Sequence, residues 1–118
     1  MESGWKMQFK DGVNLDLSRA MVQALPQIEK AHQEAGIKRG AFITSAKDGK
    51  HMKGSKHNWE VGNDKPSDAV DLRTRDLTKQ ETEKLSESLA TKLNGPKQRK
   101  PYDVVVEIDH IHVEYDPT

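Results

Sequence analysis

The sequence predicts an α+β fold in which a small antiparallel sheet is flanked by helices. Three observations lead there. Apolar residues recur at three- and four-residue steps over 18–35 and again over 78–94, the period of an amphipathic helix. Short runs with β-branched content at 40–45 and 69–74 lie between those helices, and 102–115 is denser still in such residues. The resulting order is α-β-loop-β-α-β.

In the first helix the apolar stripe is Leu17, Met21, Ala24, Leu25, Ile28 and Ala31, and Gly36 supplies a stop. His32 falls on the more polar side and is expected to be solvated. Pro26 lacks an N–H and crowds the preceding turn, so a kink or a break into two short helices is expected there. Gly40 to Ser45 reads as a buried strand, after which residues 47–66 are polar, glycine-bearing and irregular. Segments of about 20 residues without regular structure are uncommon in compact domains, and are usually functional or disordered. Ala69 to Thr74 reads as the strand leaving that loop. Thr78-Lys79-Gln80-Glu81 is a capping box opening the second helix, whose core stripe is Leu85, Leu89 and Leu93 and whose end is set by Asn94-Gly95-Pro96. Residues 102–115 form one long strand, or two strands broken near Asp109.

Composition narrows the function classes. A chain of 118 residues is one domain's worth of polypeptide. Hydrophobic residues are 33% of it, so the core must be small. Nineteen basic and nineteen acidic side chains leave a formal charge of zero, without the basic field that nucleic-acid binding needs. No nucleic-acid partner is expected. No apolar run approaches the length of a membrane span, and residues 1–10 lack a signal-type apolar stretch, which predicts a cytoplasmic protein as synthesised. With zero cysteines, any metal site must use His, Asp or Glu.

The histidines gather the chemistry. His51 and His57 lie in the long loop, and His110 and His112 lie two apart in the last extended run. Side chains two apart on a strand share a face, with about 6–7 Å between them along the backbone. Asp71 can add an oxygen ligand from the neighbouring strand and His57 a nitrogen from the loop. Two imidazoles, one carboxylate and an open fourth position describe a catalytic zinc more than a closed structural one.

Ser55-Lys56-His57 followed by Ala69-Val70-Asp71, and then Asp109-His110-Ile111-His112, resemble the paired motifs of the zinc D-alanyl-D-alanine peptidase and hedgehog superfamily. Its members include phage and bacterial peptidoglycan peptidases. The first family motif is Ser-x-His, a short loop and Ala-x-Asp; the second is His-x-His on a strand or Asp/Glu-x-x-His. The likeness covers roughly residues 40–118. It implies a hedgehog-like zinc domain in which one Zn²⁺ is held by His57, Asp71 and His112, with Asp109 as general base. It also implies a substrate, a peptidoglycan stem peptide or another D-Ala-containing peptide, cut by zinc-activated water at a D-Ala-D-Ala terminus or an internal bond. A phage-type protein, released at lysis or carried in the virion, or a cytosolic dipeptidase fits the lack of an export signal. One departure concerns the loop, since residues 58–70 separate His57 from Asp71 by about seven more positions than the family norm. His51, whose setting Asp48-Gly49-Lys50-His51-Met52 is similar to the stretch before the ligand in phage members, is an alternative coordinator or substrate contact.

The base is the open question at this level. On a regular strand Asp109 faces away from His110 and His112, and reaches the metal side only if the chain turns there. Otherwise His110 is the better candidate, with Glu107 third. Arg73, Arg75 and Lys56 are candidates to clamp a substrate carboxylate. Trp59, a large apolar group in a polar stretch, either stacks on substrate or pins the loop. A rival from another class is a zinc-binding interaction or virion structural domain that keeps the fold without turnover.

Overall fold

The computed structural model describes residues 7–46, 66–95 and 101–116. The elements are β1 (Gln8–Phe9), α1 (Arg19–Glu34), β2 (Phe42–Ser45), β3 (Ala69–Arg73), α2 (Lys79–Asn94), β4 (Tyr102–Val106) and β5 (His110–Tyr115). They form an α+β fold whose five-stranded sheet has the order β1-β2-β3-β5-β4. The sheet is mixed. β2, β3, β5 and β4 pair antiparallel, whereas β1 pairs with β2 in parallel, which corrects the expectation of a purely antiparallel sheet. Two residues in a polar run carry no readable period, so β1 left no signal in the sequence.

Alternation along the strands gives the sheet two unlike faces. Ile43, Val70, Leu72, Ile111 and Val113 are fully buried and join Met21, Ala24 and Ile28 of α1 and Leu85 and Leu89 of α2 in one core. The helices therefore lie on that face. The opposite face carries Phe42 and Thr44 of β2, Asp71 and Arg73 of β3, and His110, His112 and Glu114 of β5, all partly exposed. Registry fixes their neighbours: Asp71 is opposite His112, Arg73 opposite His110 and Ala69 opposite Glu114. Every strand residue with site chemistry thus stands on the face away from the helices.

Local signals set the helix ends. Ser18 caps α1 by accepting from the Met21 N–H at 3.3 Å. At the other end the Gly36 N–H reaches Gln33 O and the Ile37 N–H reaches His32 O, with Gly36 at φ 80°, a Schellman stop that needs the left-handed conformation glycine tolerates. Helix α2 opens with the Thr78/Glu81 capping box expected from the sequence. Pro26 does not divide α1, which runs continuously from Arg19 to Glu34. The carbonyl deprived of a partner belongs to Val22, which is 52% exposed, so water can satisfy it. Buried Asn94 clasps Tyr102 at both its N–H and its carbonyl (2.9 Å each), and the Tyr102 hydroxyl donates to Ala20 O at 2.8 Å, joining β4 to both helices.

His32 overturns the expectation of a solvated side chain. It lies four residues after Ile28 on the packed stripe and is fully buried, with Nδ1 donating to Ile28 O at 2.9 Å. Among the described residues its Nε2 has no hydrogen-bond partner. Burial pushes its pKa down to about 4, because the charged ring would lose its hydration. In the unfolded chain it returns to about 6.5. Protonation therefore favours unfolding, and stability should fall as the pH drops from 6.5 toward 4. The expected loss between pH 7 and pH 4.5 is about 2–3 kcal/mol from this residue. Urea unfolding at the two pH values, compared between wild type and His32→Leu, should show a smaller pH difference in the variant.

Candidate functional site

The polar face of the sheet brings Asp71, His110 and His112 together, as the sequence predicts. The His112 Nδ1 lies 2.9 Å from Asp71 Oδ1, and its Nε2 lies 2.9 Å from Glu114 Oε1. The pairing follows from register, since Asp71 and His112 are directly opposite on β3 and β5. The contact with Asp71, aided by Glu114 and opposed by desolvation, raises the His112 pKa to about 9. The imidazolium then donates from both nitrogens, one to each carboxylate. His110 Nε2 is 3.7 Å from the same Asp71 oxygen.

Asp109 completes the row from outside the strand. The expected long run resolves into two strands, and residues 107–109 form the turn between β4 and β5. Glu107 N–H donates to His110 O at 2.8 Å across that turn, and Thr74 N–H donates to Asp109 O at 3.1 Å, tying it to the end of β3. Strict alternation therefore does not bind Asp109. Its Oδ1 accepts from His110 Nδ1 at 2.8 Å. That hydrogen bond holds the carboxyl below the ordinary aspartate range. Asp109, His110, Asp71, His112 and Glu114 form a continuous line of alternating carboxylate and imidazole.

A cavity of about 290 Å³ opens at the Asp109 end, lined by Lys10, Thr44, Arg73, Arg75, Asp109 and His110. The Arg73 guanidinium lies 3.9 Å from the centroid of the Phe42 ring, a cation–π contact that holds it on the polar face. At the opposite end Asp103, Glu114 and Asp116 bring carboxylate oxygens within 4.8 Å of one another, a cluster with the spacing to hold a metal ion. The pairing of β2 with β3 is irregular where Ser45 meets Asp71. Such irregularities commonly re-aim side chains beside functional sites.

His51, His57 and Trp59, expected as substrate contact, metal ligand and loop aromatic, lie outside the described residues, as does Lys56. Three contributors escaped sequence reading. Glu114 was findable, because it follows His112 by two on the same strand face. Lys10 and Thr44 were not, since β1 has no period and Thr44 becomes a neighbour only through sheet order.

No family model, curated protein or solved structure matches this chain. Among the described residues no helix is long and apolar enough to cross a membrane.

Proposed function

We propose that the chain is a zinc peptidase of the D-alanyl-D-alanine peptidase type, hydrolysing peptidoglycan stem peptides. The observation that carries this reading is the cross-strand Asp71–His112 pair, 2.9 Å apart, with Asp109 released from the strand three residues before His112. The donor set fits zinc. Loss of the proton that His112 Nδ1 donates to Asp71 would leave a carboxylate oxygen and an imidazole nitrogen 2.9 Å apart and free to share a metal, with the other ring nitrogen held by a carboxylate, as is usual for ligating histidines. Asp71 Oδ1 and His112 Nδ1 are the donors proposed here, with His57 as the third. Bound there, zinc would supply Lewis-acid polarisation of the peptide carbonyl and activation of a water.

The chain's own groups do the rest. Asp109 accepts the proton from the attacking water, and His110, in hydrogen-bond contact with Asp109, orients it and faces the developing negative charge. Glu114 fixes the His112 ring so that Nδ1 points to Asp71. Glu114→Ala is accordingly expected to weaken zinc binding about 10- to 100-fold, measured by competition with a chromogenic chelator.

Incubating the purified chain with purified peptidoglycan, with and without chelator, tests the function. Release of new amino groups that stops on chelation and returns with zinc is the expected result. Stoichiometric zinc binding with no cleavage would instead favour a zinc-binding interaction domain.

A further inference from the structure

We propose that the open edge of β4 accepts an extended, basic peptide segment of a partner protein as a sixth strand, with an apolar side chain of that segment seated between β4 and α2. The proposal depends neither on zinc nor on the peptidase reading. β4 ends the sheet and pairs with β5 on its inner side. Backbone bonds run from Asp116 N–H to Pro101 O and from Glu107 N–H to His110 O. Hydrogen-bonded pairs alternate along an antiparallel ladder, so Asp103 and Val105 also turn their backbone groups to β5, whereas Tyr102, Val104 and Val106 turn theirs outward. The Asn94 side chain takes both outward groups of Tyr102. Among the described residues nothing takes those of Val104 and Val106, which leaves two donors and two acceptors for an added strand.

The side chains along this edge specify the occupant. On the helix face Val106, Ile108 and Leu77 wall a cavity of about 350 Å³ beside Thr82 of α2, and Ile108 is 99% exposed. Arg75 and Lys79 share the lining with Glu83 and Glu107, so balanced charge there suits a neutral, apolar insert. On the other face exposed Val105 stands between Asp103 and Glu107, which lie roughly 13 Å apart along the strand. Neither acid has an ion pair among the described residues, and Asp103 adjoins the carboxylates of Glu114 and Asp116. A second copy of the chain fits this edge poorly. The two-fold register that pairs both open residues, Val104 with Val106 and the reverse, sets Asp103 directly against Glu107 twice, and like charges directly opposite destabilise a strand pair. A strand with basic residues at those two positions removes the conflict and gains two opposite-charge pairs.

The test titrates acetyl-Lys-Leu-Thr-Val-Lys-amide into the full chain, beside the same peptide with both lysines replaced by glutamate. Antiparallel to β4, it sets its lysines opposite Glu107 and Asp103, leucine and valine opposite Val106 and Val104, and threonine opposite Val105. Amide hydrogen exchange reports location: the Val104 and Val106 amides should exchange fast in the free chain and slowly on binding, whereas the Val105 amide, bonded to β5, should be slow throughout. The lysine peptide is expected to bind about tenfold or more tightly than the glutamate peptide, and Asp103→Lys/Glu107→Lys, altered at two exposed positions, should reverse that preference. Methylating the leucine nitrogen, which faces β4, should abolish binding, and methylating the threonine nitrogen, which faces away, should not. These peptide variants keep the test decisive even if the double variant fails to fold. Equal binding of the two charge forms, binding that survives leucine methylation, or no binding at millimolar peptide would overturn the proposal. Protection of Val104 and Val106 without peptide would overturn it too, identifying a second copy as occupant if it grows with chain concentration and the chain itself if it does not.

Discussion

Asp109→Ala is expected to lower stem-peptide hydrolysis by about 10²-fold or more, while bound zinc stays at the wild-type level. The reason is positional. Asp109 belongs to the turn between β4 and β5, its carbonyl is tied to Thr74 N–H, and its carboxylate engages His110 beside the cavity. Its side chain is 60% exposed, so truncation removes little packing and the fold should persist. His110→Ala separates the roles. If His110 only orients Asp109, its loss should cost less than the loss of Asp109, and the double variant should be no slower than Asp109→Ala alone. A large effect of His110→Ala with a small one of Asp109→Ala would move the base to the imidazole.

The second large effect is expected at Asp71. Asp71→Ala removes one proposed ligand and the partner of both nearby imidazoles, so zinc should fall well below one equivalent per chain and hydrolysis should become undetectable. The side chain stands on the polar face of the sheet, away from Leu72 and Val70, and circular dichroism should show the fold retained. Asp71→Glu, which keeps the charge but lengthens the reach, is expected to recover part of the zinc and little of the rate, because the reacting groups tolerate little displacement.

Most of the fold was legible because its signals are local. The capping box at Thr78, the stop at Gly36 and the stripe of Leu85, Leu89 and Leu93 act within a turn or two of themselves. The alternation of residues 110–114 likewise placed His110 and His112 on one face. What stayed hidden depends on three-dimensional context. Pro26 and His32 obey the environment of α1 rather than their propensities, one facing water and the other the core. Parallel pairing of β1 follows from a sheet edge that no sequence window contains. For the site, the residue types and their spacing in β3 and β5 were readable, and their registry was the missing fact. Asp109 shows the same limit, since a single turn decides whether it faces its neighbours or turns from them.

Zinc content, measured on purified wild-type chain and on His112→Ala in parallel, bears most directly on the proposed centre. One equivalent per wild-type chain, with a large loss in the folded variant, is the expected result. Full stoichiometric zinc retained by His112→Ala would remove this histidine from the metal and contradict the centre built on Asp71 and His112.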